Sequence, residues 1–395
     1  MGERDYYCNF KFKFLKVDLM AFTIYNCHAS KAQAVDFAWL SKASNDLFNT
    51  PTNVHERSMM LRNERNASCE QNCWKAEDNG GISPRLWQHG DVKSHDIVKI
   101  APTIIDLTIN SNCNLTCTYC CKEFSSGWLK DIMHKEYAYS APDIDLINRN
   151  TVTLRDTIST KIKQAEFKQS SKYQALLGSI VDYSSELEEL IITGGEPFAD
   201  NNLFDVIEQL ELNKTTKLTL FTGLGISFSR FKRYIDTLVK LNGPSILLRI
   251  SAEGINKHLE FNRYGVKWDD FLKKIAYLKM HKVNFVFHSA ISNLSIFGFS
   301  DFYNYFKEYE IHTTFVYTPT MMGINVLDVE SKTEIKNKIS NLPDNLQQQI
   351  IRSMNATPTV QQKIQINEFL TQFIERRPEL SLDIFPKSFL TWVGL

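Results

Sequence analysis

Between about residues 99 and 322 the chain alternates short apolar runs with amphipathic segments of helical period. The apolar runs fall at 102–109, 189–193, 217–222, 246–252, 283–291 and 313–317. Strand-sized runs separated by helix-length segments predict an α/β fold, a parallel sheet with crossover helices packed against it. The fourth run, around Leu248, departs from uniform apolarity, because Arg249, Ser251 and Glu253 recur at every second position. That period aims all three at one face, where a charge is costly unless it is paired or meets a ligand. An Arg249–Glu253 pair at the rim is the structural alternative. Thr222, His288 and Ser289 are further candidates to face the interior, and a satisfied core histidine is the common fate of a residue like His288.

The flanks read differently. Segments 10–17 and 21–25 alternate in strand fashion and predict a small hairpin, and 63–77 has helical character. Beyond residue 322, segments 330–354 and 359–376 carry apolar residues at three- and four-residue spacing, with Pro343 and Pro358 as breaks. The last stretch, 382–395, is apolar enough to pack back on the main body. Three parts are expected: 1–98, 99–322 and 323–395.

Candidate chemistry sits on the loop after the first of the six runs. Cys113, Cys117 and Cys120 are spaced C-x3-C-x2-C, which gathers three thiolates on one short loop. Three thiolates hold three irons of a cubane and leave the fourth iron open; with one more ligand they also close a tetrahedral zinc site. After the second run comes Thr193-Gly194-Gly195-Glu196-Pro197, a turn whose glycines allow close backbone approach and whose carboxylate accepts hydrogen bonds from an ammonium group.

Taken together, C-x3-C-x-Tyr-C after the first strand and Gly-Gly-Glu-Pro after the second closely resemble the radical S-adenosylmethionine (radical SAM) superfamily. The resemblance implies a partial (β/α)6 barrel, for which six strands fit better than eight. It also implies a [4Fe-4S] cluster on Cys113, Cys117 and Cys120, with the open iron chelated by the methionine part of SAM. Reductive cleavage of the sulfonium then yields a 5′-deoxyadenosyl radical that takes hydrogen from a substrate. By position, Tyr119 borders the adenine, and Glu196 with the Gly194–Gly195 backbone holds the SAM amino group. Ser251 and Glu253 bind ribose hydroxyls or the amino-acid part, with Arg249 as a partner for a carboxylate and Thr222 nearby, while Ala290 and Ile291 offer backbone contacts to adenine; Tyr317 is a further candidate there. An electron donor such as flavodoxin or ferredoxin is implied as a partner. Cys121 fits no ligand position and reads as a small buried residue.

The other four of the eight cysteines, Cys8, Cys27, Cys69 and Cys73, all lie in the N-terminal part. One helical turn separates Cys69 from Cys73, and a strand pair plus a helix brings four thiols together. This layout resembles the auxiliary-cluster modules, SPASM or twitch domains, of many radical SAM enzymes, and implies a second [4Fe-4S] cluster; the departure is that such modules usually follow the barrel. A structural zinc site is the alternative. Arg85, Trp87 and His89 read as a solvated linker toward the barrel, with contact to substrate as the alternative, and 74–81 as a helix end followed by a glycine turn. The long stretch between Cys121 and Glu189, with Gly127-Trp128-Leu129, Tyr137-Ala138-Tyr139 and Asp143-Ile144-Asp145, suits a lid or substrate loop as well as an inert insertion.

Charge narrows the partners. With 45 basic and 45 acidic side chains the formal net charge is zero, which gives no support to a nucleic-acid or membrane partner. No apolar run is long enough to span a bilayer, and the opening residues lack the apolar core of a signal peptide, so a cytoplasmic enzyme with reduced, metal-holding thiols is expected. Members with extra clusters mostly modify peptides or proteins, and some act on small molecules; either substrate class fits this chain.

Overall fold

The computed structural model describes residues 5–28, 30–42, 46–78, 83–87, 100–122, 124–133 and 170–395. His89, the glycine turn near residue 80, and the 137–139 and 143–145 segments lie outside them. The strands are β1 (Phe14–Asp18), β2 (Thr23–Tyr25), β3 (Gln33–Ala34), β4 (Ile104–Thr108), β5 (Thr116–Cys117), β6 (Glu189–Thr193), β7 (Lys217–Thr222), β8 (Ser245–Ser251), β9 (Arg263–Tyr264), β10 (Asn284–Ile291) and β11 (Ile311–Phe315). Nine of them form one sheet in the order β11-β10-β8-β7-β6-β4-β1-β2-β3. From β4 to β11 every pairing in that sheet is parallel, and spatial neighbours follow chain order.

Register explains the burial pattern. In-register parallel partners share a face, so Leu107, Ile192, Leu220, Ile250 and Phe287 stand on one side, all fully buried. Helices cover that side: Leu176 and Ile180 come from Ser171–Ser184, and Phe231 and Ile235 from Phe228–Leu238. Both helices start at a serine whose side chain accepts from the third residue on, Ser170 from the Tyr173 amide and Ser227 from the Arg230 amide. The opposite side carries Asp106, Thr193, Thr219, Arg249, Ser251, His288 and His312, a polar face.

The hairpin expected near the N-terminus is present, β1 pairing antiparallel with β2. Its place is the finding: β1 also pairs in parallel with β4, Lys16 opposite Asp106 and Asp18 opposite Thr108, so the N-terminal strands extend the main sheet. In segment 63–77 the helix begins only at Ala67, as a 3-10 turn Ala67–Cys69 that leads into a π-helical Glu70–Trp74 and a short α-helical Lys75–Asp78. The Trp74 ring is fully buried and its indole N–H donates to the Asn66 carbonyl at 2.7 Å. Arg85 is no solvated linker residue. It is 5% exposed and pairs with Glu77 at 2.7 Å. Trp128 belongs to a helix, Ser126–Met133, that is packed into the core. No helix among the described residues is long and apolar enough to cross a membrane.

Candidate functional site

Two loops meet at the C-terminal ends of β4 and β6. The Gly195 amide donates to the Asn110 carbonyl at 3.0 Å, and the Glu196 amide to the Asn112 carbonyl at 2.6 Å. A Cβ at Gly194 would collide with the Asn110 carbonyl oxygen and one at Gly195 with that of Asn112, while Gly194 also has φ +126°. These glycines therefore serve the approach of one loop to the other, a use of backbone permissiveness that the motif alone does not reveal.

The cysteine loop is held on every side. Cys113 N–H donates to Ser126 Oγ (2.9 Å), and the Leu115 amide to Cys113 Sγ (3.4 Å). Trp128 Nε1 donates to the Cys117 carbonyl (2.9 Å), as does the Cys120 amide (3.0 Å). β5 pairs antiparallel with β9, Cys117 opposite Arg263. From outside, Arg377, 2% exposed, donates to Thr116 Oγ1 at 2.9 Å and lies 4.0 Å over the Phe373 ring. Leu115 fills the space beside Gly223, Gly225 and Gly265.

Electrostatics of the three thiols reflect their seclusion. Burial pushes Cys113 up to about 12, helped by charge on Cys117 and Glu196. Burial likewise takes Cys117 to about 11 against the pull of the Arg263 cation. Cys120 stands well above the ordinary thiol range through burial and charge on Cys121, Cys117 and Cys113. The three therefore share one environment. Among the described residues no group of three or more His, Cys, Asp or Glu side chains is set as a shell around a single metal ion.

Around them runs a buried network whose organiser the sequence did not advertise. Arg263 donates from Nε to Glu253 Oε2 (2.8 Å) and from Nη2 to Glu253 Oε1 (2.6 Å), and also reaches the Tyr119 hydroxyl. Its Nη1 stands 3.8 Å from Cys117 Sγ. Tyr119 in turn donates to Glu253 Oε1 (2.9 Å), and the Ala290 amide does so at 3.1 Å. Burial opposes the Arg263 charge, but Glu253 more than offsets it.

Not every expected residue is free to meet a ligand. Glu253 is fully buried and spent on Arg263, Tyr119 and Ala290, so the rim pair with Arg249 does not form. Glu196 accepts from Thr222 Oγ1 (2.8 Å), the Gly223 amide (2.8 Å) and the Phe198 amide (3.2 Å). A carboxylate has about four lone-pair sites, so one is left. Burial raises Glu196 despite those bonds. The Ala290 carbonyl accepts from Ser295 Oγ (3.1 Å) and that of Ile291 from the Val316 amide (2.9 Å). Tyr317 lies past the end of β11, 62% exposed. Ser251, at the end of β8 opposite His288, has a side-chain hydroxyl with no hydrogen-bond partner among the described residues.

The N-terminal cysteines also share an environment. Cys8, Cys69 and Cys73 are buried in a small apolar cluster with Phe12, Met60 and Trp74. Burial, then charge on Cys27 and Cys69, raises Cys8 to about 12, while Cys69 rises to about 11 through burial, with Lys11 pulling the other way. Lys11, 1% exposed, donates to Asn26 Oδ1 (2.7 Å), Glu56 Oε2 (2.6 Å) and Ser68 Oγ (3.2 Å), so it ties together the segments that bear Cys8, Cys27 and Cys69.

No family model matches the chain. No curated protein matches it either. Among solved structures, the chain is similar to anSMEcpe, an anaerobic sulfatase-maturating enzyme, with bound AdoMet and Kp18Cys peptide: TM-score 0.36, 16% identity, over 65% of this chain and 63% of that one. The same protein with AdoMet and Cp18Cys peptide gives a TM-score of 0.34 and 17% identity over 65% and 63%, and its histidine-tagged form with AdoMet 0.35 and 16% over 65% and 61%. The chain thus spans less than two thirds of the length of these structures.

Proposed function

We propose that this chain is a radical SAM enzyme whose polar sheet face lines a partial (β/α)6 barrel, with residues 1–98 as a cluster-bearing N-terminal part, 99–322 as the barrel and 323–395 as a helical cover. The observation that carries the reading is the docking of the Cys113–Cys117–Cys120 loop against the Gly194–Gly195–Glu196 turn at the C-terminal ends of adjacent parallel strands, where barrel enzymes place their chemistry.

The residues fit the group. Three thiols on one loop match a cubane with an open iron, with Cys121 packed in the core beside them. When bound, the cluster and SAM supply reductive cleavage of the sulfonium and hydrogen abstraction; the rest is the chain's work. Arg263 favours the thiolate form of Cys117 and holds Tyr119 beside it. Glu196 keeps one lone pair for an ammonium group, and Ser251 offers its hydroxyl to the ribose. Glu253 becomes a positioning residue for Arg263 and Tyr119. Thr222 likewise acts through Glu196, and Ala290 through Glu253. Trp128, Leu115 and Arg377 keep water from the loop.

For the N-terminal part, the reading is a second [4Fe-4S] cluster on Cys8, Cys27, Cys69 and Cys73, supported by three of these thiols lying in one apolar cluster and by charge on Cys27 acting on Cys8 and Cys69. The substrate class is a peptide or protein, with reducing electrons from a flavodoxin- or ferredoxin-like donor. Iron and sulfide content with electron paramagnetic resonance after anaerobic reconstitution tests the whole. Wild type should hold about eight irons and release 5′-deoxyadenosine from SAM, and a Cys113, Cys117 and Cys120 to Ala variant about four. Zinc in both proteins, with no response to SAM, would sink the reading.

A further inference from the structure

The polar face of the sheet is largely self-compensated. Lys16 pairs with Asp106 at 3.2 Å, and Asp106 accepts from Thr193. Lys217 pairs with Glu189 at 3.2 Å, and Glu189 accepts from Thr219. Arg249 is the exception. Half-buried on β8, its side chain makes no hydrogen bond or ion pair among the described residues, and its guanidinium lies 5.6 Å over the Phe221 ring.

On the neighbouring strand His288 packs edge-on against the same Phe221 ring, with centroids 5.2 Å apart. Its Nδ1 is buried without a hydrogen-bond partner, and its Nε2 has only a 3.4 Å approach to Thr314 Oγ1. Register puts Val286 beside Arg249 and His288 beside Ser251, so both side chains share the polar face just below the ends of their strands. An unpaired guanidinium and an orphaned imidazole nitrogen, side by side and half out of water, are costly unless a ligand completes them.

We propose, building on the radical SAM reading, that Arg249 and His288 bind a carboxylate of the substrate next to the SAM site. Charge complementarity selects the group. Burial, then the Arg249 cation, with smaller contributions from His312 and Arg263, lowers the His288 pKa to about 4. The ring is then neutral near pH 7, which leaves a single positive charge on Arg249. One fork-shaped cation with a neutral N–H donor suits a planar monoanion better than a dianionic phosphate. The Phe221 ring forms an apolar wall beside it.

The test is arginine modification by phenylglyoxal on the cluster-loaded enzyme, with the Arg249 peptide followed by mass spectrometry and Arg62, 56% exposed, as internal control. The probes are SAM alone, then with SAM present acetate, acetyl-Gly-Asp-Gly-amide and inorganic phosphate. With SAM bound, a saturating carboxylate probe should slow Arg249 modification about tenfold and leave Arg62 unchanged, and His288→Phe should weaken that protection. Protection by the peptide beyond that by acetate points to a peptide carboxylate, and by acetate alone to a small free acid. Full protection by SAM alone, stronger protection by phosphate, or none from any probe overturns the proposal. Iron content and 5′-deoxyadenosine in the same samples keep the two readings apart: their absence with protection intact overturns the radical reading, and their presence without protection overturns the carboxylate site alone.

Discussion

Arg263 and Glu253 grip each other fork to fork, Nη2 to Oε1 at 2.6 Å and Nε to Oε2 at 2.8 Å, with side-chain exposures of 7% and 0%. Removing one partner leaves the other charge buried and alone. Arg263→Met and Glu253→Leu should each cost about 3–5 kcal/mol, while the two combined should cost much less than the sum. Urea unfolding of the four proteins closes the cycle, and additive costs would show that the pair is not energetically joined.

Gly195 and Gly178 should respond to an added methyl group with opposite sign. Gly195→Ala forces the Asn112 carbonyl away and should lower the unfolding midpoint and the iron content together. Gly178, inside the helix Ser171–Ser184, has open space for 4 Å around the point where a methyl group would sit, so Gly178→Ala should stabilise by about 0.5–1 kcal/mol. Thermal melts of both variants decide it.

Metal-free protein should lose stability as pH rises above 9. Cys113 and Cys117 move from an ordinary 9.0 to about 12 and about 11 on folding, so the native state holds thiol protons that the unfolded chain has released, and the slope of stability with pH is negative in that window. Bound metal requires the thiolates and removes this penalty. Denaturation between about pH 8 and 11, where the unfolded thiols release their protons and the folded ones keep theirs, with and without reconstitution, should give diverging curves.

Much of the architecture is legible in the sequence because it repeats locally. Runs 189–193 and 217–222 coincide with β6 and β7, and the others shift by one or two residues from the observed strands. The cysteine spacing and the Gly-Gly-Glu turn are equally visible. What escapes depends on contacts between distant segments. Nothing around Asn262-Arg263-Tyr264 distinguishes a surface arginine from one buried against Cys117, because its partners Tyr119 and Glu253 arrive from other loops. Arg85 reads as a linker residue for the same reason, since its partners Glu77 and the Tyr7 carbonyl make sense only once the N-terminal segment has folded back. The parallel partner of β1 likewise has no local signature.

Lys11 gives a separate handle on the N-terminal thiols. Lys11→Met strands the Glu56 carboxylate, now at 2.6 Å from the ammonium, and removes the cation that draws Cys69 toward its thiolate. On the two-cluster reading, the variant should lose the iron of the N-terminal site and keep that of Cys113, Cys117 and Cys120. Iron counts near four with the SAM-sensitive resonance intact would be the expected result, and equal loss from both sites would count against a local effect.

The seating of β1 beside β4 also governs how the protein behaves when cut. Strip away the first hundred or so residues and β4, Ile104–Thr108, becomes a bare parallel edge with Ile105 and Leu107 in its apolar face. Such an edge recruits strands from other chains and seeds aggregates. In the intact chain the sheet instead tapers through β2 to the two-residue β3, a terminus too short to template a neighbour. The N-terminal strands thus act as an edge guard for the sheet that carries the cysteine loop, and a truncated chain would precipitate before it lost its motif.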